Sequence, residues 1–161
     1  MHVKIFTTGG SLDKRYSTIE SDFLVMDPQV GEVLGAANVT LRYEIEPLLR
    51  KDSLEITEED RDLIVERVRA DASRHILITH GTDTMALTGQ RLSEISGKTI
   101  VLTGAMQPAA IKDSDAAFNV GFALAALQIL PPGVYLAMNG QIFDPHRTRK
   151  NLELDRFEVD D

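Results

Sequence analysis

The sequence contains no cysteine, so it can form neither a disulfide bond nor a thiolate metal site. Its histidines do not replace such ligands, because none lies four residues from another and no metal-ligand spacing is present. The four histidines are His2, His75, His80 and His146. We therefore expect no metal and no cofactor, and we interpret His80 as a support for the turn that follows its strand.

An excess of positive charge and a long apolar run are also missing. The chain carries 17 basic and 25 acidic residues, a formal net charge of −8, which argues against nucleic acid or an anionic membrane as a partner. Polar residues interrupt the longest apolar run, within 116–130, and it is too short to span a bilayer. No secretory pattern opens the chain, so the expected location is the cytoplasm.

The 161 residues suffice for a single domain, 1–161, with a buried core. Strand patterns alternate with helix patterns, which predicts an α/β fold with an open, mostly parallel sheet flanked by helices on both faces, as in flavodoxin-like and Rossmann-like proteins. Segment 12–28 has no clear period and is predicted to be an irregular lid or binding loop. The composition of 144–161 favours a solvated tail. Strands are expected near 3–6, 39–45, 76–79, 99–103, 134–138 and 141–143, and helices near 28–37, 57–72, 85–95 and 116–130.

One stretch, 76–85, concentrates polar groups at a strand end. A short apolar run breaks at Gly81 and is followed by Thr82, Asp83 and Thr84 before a helical pattern begins. In open α/β sheets, ligands bind at this carboxyl edge. We expect one of these residues to cap the helix, but a cap needs only one such residue and does not require Gly81. The pattern therefore favours a site.

A glycine pair, Gly9–Gly10, lies at the end of the first predicted strand and lets the backbone turn tightly. Neither the dinucleotide fingerprint nor the phosphate-binding loop of nucleoside triphosphatases is present, which argues against those ligands. An ordinary strand-to-loop turn remains an equal alternative on this segment alone.

Together these loops resemble the bacterial-type L-asparaginase family, specifically its amino-terminal domain, from end to end of the chain. The block at His80 is the most specific part of the match. The matching segments are Thr8–Leu12, Asp52–Ser53, His80–Met85, Gly104–Met106 with Pro108, Ser114 with Phe118 and Asn119, and Met138–Asn139.

The resemblance implies an amidohydrolase that converts L-asparagine and water to L-aspartate and ammonia. Ser11 matches the family's threonine nucleophile, and Tyr16 matches the tyrosine that works with it. Thr82 and Asp83 match a second cluster that includes a lysine, here Lys150. A hydroxyl is a weak nucleophile at neutral pH and needs such neighbours.

The resemblance also implies the residues that bind the substrate. Ser53, with Asp52 beside it, matches the serine that holds the α-carboxylate, and Asp83 also faces the α-amino group. The carbonyl of Ala105 matches the one that receives the side-chain amide. Backbone N–H groups near Gly10 and Gly81 could stabilise the oxyanion.

The sequence departs from the family pattern at several places, which keeps other functions open. Serine replaces threonine at Ser11, Leu54 follows Ser53 where a polar residue is common, and Gln107 stands where arginine is common. The alternatives are a glutaminase or other small-amide hydrolase, and a weakly active or non-catalytic amino-acid-binding regulatory domain.

The family's smaller carboxy-terminal domain is expected to be absent, since the chain ends where the linker to it would begin. This implies weaker binding and a looser choice of substrate. A nearly all-apolar helix at 116–130 indicates a subunit interface, so we expect a homo-oligomer, a dimer or tetramer.

Overall fold

A computed structural model describes all residues, 1–161, and shows a central sheet of six strands. The strands of the chain are β1 His2–Gly9, β2 Lys14–Ser17, β3 Asp22–Val25, β4 Arg42–Lys51, β5 His75–Thr79, β6 Thr99–Thr103, β7 Gly133–Met138, β8 Gln141–Phe143, β9 Thr148–Asn151 and β10 Arg156–Val159. The helices are α1 Val30–Ala36, α2 Glu58–Ala70, α3 Met85–Leu92 and α4 Ala116–Ile129. Short 3-10 turns cover Ser11–Asp13, Ser53–Glu55 and Pro145–Arg147.

The central sheet has the strand order β4-β1-β5-β6-β7-β8. Its first five strands are parallel, and β8 returns antiparallel to β7. If only the five parallel strands are counted, their order is the flavodoxin-like order. In this order the direction of winding reverses between the first strand and its inner neighbour. The switch point therefore lies between β1 and β5, and the predicted α/β fold is confirmed.

The core consists of two apolar layers, one on each face of the sheet. α1 and α4 cover the face to which Val3, Ile5 and Leu77 contribute. α2 and α3 cover the other face, which receives Phe6 and Ile78. Because both faces are covered, the inner strands are apolar along most of their length.

α2 confirms the helix predicted near 57–72 and begins with a capping box. The Thr57 hydroxyl accepts a hydrogen bond from the Asp60 N–H at 3.1 Å, and the Asp60 carboxylate accepts one from the Thr57 N–H at 2.9 Å. This capping box satisfies two N–H groups that the helix itself cannot bond. None of the helices is both long enough and apolar enough to cross a bilayer.

Three predictions of local structure are wrong. Segment 12–28 contains an antiparallel hairpin of β2 and β3 instead of an irregular loop. Segment 144–161 forms a second hairpin, β9 and β10, instead of a solvated tail. The strand expected at 39–45 runs instead over Arg42–Lys51 and includes Pro47, which β4 tolerates because it is an edge strand.

Candidate active site

Three strand-end segments meet at the switch point of the sheet. A Cβ added to Gly10 would lie 2.4 Å from the Gly81 Cα, and a Cβ added to Gly81 would lie 2.6 Å from the Ser53 Cβ. Gly10 also has a φ of +79°, which disfavours any other residue. The loops after β1, β4 and β5 can therefore touch only because these two positions carry no side chain.

Beside this meeting point, Lys150 joins Thr82 and Asp83. The Lys150 Nζ donates to the Thr82 Oγ1 and to the Asp83 Oδ1, both at 2.8 Å. The lysine side chain is largely buried and forms an ion pair with the carboxylate. The structure thus brings together a hydroxyl, a carboxylate and an amine that the sequence separates by nearly 70 residues.

The β9–β10 hairpin holds Lys150 in this position. Lys150 is paired across the hairpin with Phe157, whose side chain is buried against Phe143 with ring centroids 6.2 Å apart. The Phe157 N–H donates to the Asn139 Oδ1 at 2.9 Å. An aromatic contact and a hydrogen bond from the backbone to the Asn139 side chain therefore fix the hairpin that carries the amine.

None of the polar residues of 82–84 caps α3 through its side chain. Thr84 is the N-cap residue, but its hydroxyl donates to the Ser53 carbonyl at 2.7 Å instead of bonding a helix N–H. Thr82 and Asp83 both contact Lys150. The expectation that one of the three caps the helix is wrong, because all three bond to other segments of the chain.

Ser53 is buried, and its hydroxyl has no hydrogen-bond partner within the chain. Buried hydroxyls are normally paired, so this one is available to a ligand. The neighbouring Asp52 carboxylate accepts from the Leu54 N–H and from the Lys14 Nζ, both at 3.1 Å. Burial raises the pKa of Asp52, but these two donors more than offset it and hold the pKa below its usual value.

Ser11 and Tyr16 lie in the segment that follows β1. Ser11 is half-buried and opens the 3-10 turn that follows β1, next to Gly10. Tyr16 lies on β2 with 55% of its surface exposed, and its ring packs edge-on against Phe23 at 5.5 Å. Neither hydroxyl is hydrogen-bonded to the Thr82–Lys150 cluster, so the structure does not bring all five candidate catalytic residues into direct contact.

Ala105 is buried in the turn after β6. The Asp115 carboxylate accepts from the N–H groups of Met106 and Gln107 at 2.9 and 3.0 Å. The Asn119 Nδ2 donates to the Gly104 carbonyl at 2.9 Å and to the same carboxylate at 3.0 Å. Asp115 and Asn119 thus hold the turn on both sides of Ala105.

Sequence reasoning did not find the support by Asp115. An acidic residue just before a helix resembles a cap, yet this carboxylate makes no cap bond and turns back to the preceding loop. The nearby Ser114 hydroxyl accepts a hydrogen bond from the Ala116 N–H at 3.0 Å and donates to the Gln107 carbonyl at 2.9 Å.

The fold and the site define an open parallel α/β domain with a polar cluster at its switch point. The chain belongs to the asparaginase family: residues 2–158 match the family described as asparaginase, N-terminal. It is 37% identical over 114 residues to L-asparaginase 1 of Escherichia coli K12, and this match covers 67% of the chain and 33% of the relative.

A second kind of relative is similar over more of the chain. One component of the glutamyl-tRNA(Gln) amidotransferase of Methanococcus vannielii is 32% identical over 151 residues, a match that covers 89% of this chain and 35% of that protein. The relatives of this chain therefore include proteins with different names.

The solved structures agree with this assignment. The thermostable L-asparaginase from Thermococcus kodakarensis superimposes with a TM-score of 0.84 at 29% identity, covering 99% of this chain and 51% of that one. The chain therefore spans about half the length of that structure and about a third of the two relatives named above.

Proposed function

We propose that this chain hydrolyses the side-chain amide of L-asparagine to give L-aspartate and ammonia. The observation that carries the proposal is the Lys150–Thr82–Asp83 cluster, with both contacts at 2.8 Å, beside the point where Gly10, Gly81 and Ser53 meet. Membership of the asparaginase family supports the same reaction. We further propose that residues 1–161 act as one domain of the amino-terminal type.

In this proposal the Ser11 hydroxyl attacks the side-chain carbonyl, with Tyr16 assisting. The C–N bond breaks as the nitrogen takes up a proton and leaves as ammonia. Water then attacks the resulting ester on Ser11 and releases aspartate. Tyr16 is exposed on its hairpin and its hydroxyl makes no hydrogen bond within the chain, so it is free to engage Ser11 when substrate binds.

The Thr82–Asp83–Lys150 cluster handles protons in this scheme. Lysine can donate a proton while charged but can accept one only when neutral, and the Lys150 amine lies against the Asp83 carboxylate. Backbone N–H groups of the Gly10–Ser11 and Gly81–Thr82 segments are proposed to stabilise the developing oxyanion.

Substrate binding is assigned to the remaining strand-end groups. The unpartnered Ser53 hydroxyl would bind the α-carboxylate, with Asp52 shaping its loop through Lys14. Asp83 would face the α-amino group. The Ala105 carbonyl would accept a hydrogen bond from the side-chain amide, in the turn that Asp115 and Asn119 hold.

Two other functions use the same site. A glutaminase or other small-amide hydrolase would use the same groups and would differ only in the substrate bound between them, which for glutamine is longer. A non-catalytic amino-acid-binding domain is favoured by the exposed, apolar Leu54, which follows Ser53 and offers no hydrogen bond to a substrate through its side chain.

The test is ammonia release from L-asparagine and L-glutamine, compared by kcat/KM. We expect asparagine to be preferred and Lys150→Met and Ser11→Ala each to lower kcat by about 100-fold or more. Lys112→Met and Ser96→Ala are matched controls, because both residues are exposed and lie outside the site.

Wild-type rates in either site variant would remove that residue from the mechanism. Binding of aspartate without ammonia release would identify a binding domain instead.

A further inference from the structure

Three buried polar side chains outside the proposed chemistry form a continuous chain of hydrogen bonds to the site. Arg61 lies on α2, Thr88 on α3 and His80 directly after β5, and all three are almost inaccessible to solvent. The Arg61 Nε donates to the Thr88 Oγ1 at 3.2 Å. The Thr88 Oγ1 lies 2.8 Å from the His80 Nε2, and the His80 Nδ1 lies 2.7 Å from the Gly81 carbonyl oxygen.

The chemistry of these groups fixes the tautomer of His80. A carbonyl oxygen can only accept, so the imidazole proton sits on Nδ1 and is donated to Gly81. In a neutral ring the Nε2 atom then accepts, and the donor facing it is the Thr88 hydroxyl. Arginine can only donate, so the Thr88 oxygen accepts from Arg61 while its single hydrogen is directed at His80.

The surroundings of His80 also keep it neutral. Complete burial is the main cause that lowers its pKa to about 4; the Arg61 cation acts in the same direction, while the hydrogen bond to Gly81 opposes it. A charged imidazole would donate from both nitrogens, and the Thr88 hydrogen would lose its acceptor. The geometry of the relay thus agrees with a single neutral tautomer.

We propose that the Arg61–Thr88–His80 relay positions the Gly81–Thr82 peptide of the active site by holding His80 in its Nδ1–H tautomer. A trans peptide is planar, so its N–H points opposite to its carbonyl. Fixing the Gly81 carbonyl therefore fixes the direction of the Thr82 N–H, one of the proposed oxyanion donors. The three residues act through this peptide and are positioning residues; the catalytic part of the inference rests on the proposed function.

The relay also joins two of the three strand-end segments. The Arg61 Nη1 donates to the Ile56 carbonyl at 3.3 Å, just after the turn that carries Ser53, and it pairs with Glu58 at 2.7 Å. The His80 N–H donates to the Thr103 carbonyl of β6 at 2.9 Å. The relay therefore ties the Ser53 segment to the Gly81 segment from the side of the sheet covered by α2 and α3.

The decisive measurement is ¹⁵N NMR of the histidine rings and of the Thr82 amide in the intact chain. We expect one His80 ring with a protonated Nδ1, without titration across the neutral range. Thr88→Val keeps the shape of the side chain but removes its hydroxyl. This variant should change the ¹⁵N signals that report the His80 tautomer and should shift the signal of the Thr82 amide. Thr88→Ser should restore both signals. An Nε2–H tautomer in the wild type would overturn the proposal.

The same variants are also compared by their steady-state kinetics. Thr88→Val should lower kcat on L-asparagine about tenfold, the equivalent of one ordinary hydrogen bond, with little change in KM, and Thr88→Ser should recover the rate. Thr99→Val is the matched control, because Thr99 is also buried but lies at the opposite end of β6. A normal kcat in Thr88→Val despite an altered tautomer would overturn the positioning role.

A second pair of variants separates the two ring nitrogens. In His80→Asn the new side-chain amide lies where Nδ1 was, and in His80→Gln it lies where Nε2 was. His80→Asn can therefore keep the hydrogen bond to the Gly81 carbonyl and should retain more activity than His80→Gln. The reverse order would contradict the relay. If the wild type releases no ammonia while the NMR signals behave as expected, the proposed function fails and the relay stands.

Discussion

At the scale of single residues, Asp13 shows how a buried polar group can control a loop. It is 1% exposed and lies between Ser11 and the β2–β3 hairpin. Its carbonyl accepts from the Met26 N–H at 3.0 Å, and its carboxylate accepts from the Gln29 N–H at 2.9 Å. Asp13 thus closes the base of the hairpin that carries Tyr16.

Burial raises the pKa of Asp13 from 3.8 to about 7, although the Gln29 N–H and the Arg50 charge oppose the shift. Between these two values the folded protein binds more protons than the unfolded chain, so its stability falls as pH rises from about 4 to about 7. Asp13→Asn keeps an acceptor for Gln29 without the charge. We predict that this variant is more stable than the wild type by about 2 kcal/mol near pH 8, with the difference shrinking towards about pH 4.

Urea unfolding of the two proteins at both pH values checks this prediction. Asp113→Asn is the control, because Asp113 is exposed and forms no hydrogen bond through its side chain. A pH-independent difference between Asp13→Asn and the wild type would contradict the assignment of the buried proton.

At the scale of elements, the two hairpins are where sequence reasoning failed. β2, β3, β9 and β10 have four residues each, too few for a reliable alternating pattern. Half of the residues in the second hairpin, 148–159, are charged, and only Phe157 enters the core. A single buried aromatic residue decides that this segment folds back, and with it the position of Lys150.

The pairing of β1 with β4 contains an ion network around a buried amine. The Lys4 Nζ lies 2.7 Å from the Glu44 Oε1, 2.9 Å from the Glu46 Oε2 and 3.7 Å from the Asp71 Oδ2. The hydrogen bond from Lys4 is the main cause that holds the pKa of Glu46 below its usual value. The amine neutralises carboxylates that would otherwise repel one another along the strand pair.

We predict that Lys4→Met lowers the free energy of unfolding by about 2 kcal/mol at neutral pH, less than for a fully buried pair because Glu44 is exposed. The contribution of the lowered Glu46 pKa is present above the ordinary glutamate pKa of about 4.3 and is lost as pH falls below it. The difference in unfolding free energy between Lys4→Met and the wild type should therefore be smaller at acidic pH. Urea unfolding in neutral and acidic buffer measures it, with Lys112→Met as control; equal stability of Lys4→Met and wild type at neutral pH would contradict the network's role.

At the scale of the whole molecule, α4 leaves an apolar face uncovered. Its 14 residues include no charged side chain, although 26% of the chain is charged. Phe118 is 62% exposed and Ile129 is 79% exposed. In a molecule with a net charge of −8, two copies can meet through this uncharged face with little repulsion.

The homo-oligomer expected from the sequence remains a prediction, and this face is where we place it. Phe118→Glu combined with Ile129→Glu should shift the protein to a smaller species in sedimentation velocity, because charges in an apolar contact are costly to desolvate. Leu63→Glu, on an exposed position of α2, should leave the distribution unchanged. A wild type that sediments as a monomer would end the oligomer prediction.

The fold and much of the site could be predicted because their signals are local. Glycine and hydroxyl residues at the ends of apolar strands marked the segments around Gly10 and Gly81, and the family resemblance added Ser53 and Lys150. The relay through Arg61 and Thr88 could not be predicted, since both residues sit in ordinary amphipathic helices. The same holds for Asp13 and Asp115, whose roles depend on backbone N–H groups of other loops.

By itself the sequence determined the alternation of strands and helices and the turns after β1 and β5, because apolar runs and glycines act within a few residues. The tertiary structure alone decided that Lys150 reaches Thr82, 68 residues away, and that Ser53 lies against Gly81. Such contacts depend on the order of the strands and on the docking of the last hairpin through Phe157. Neither is encoded in the spacing of neighbouring residues, since both follow from burying the apolar faces of the whole chain at once.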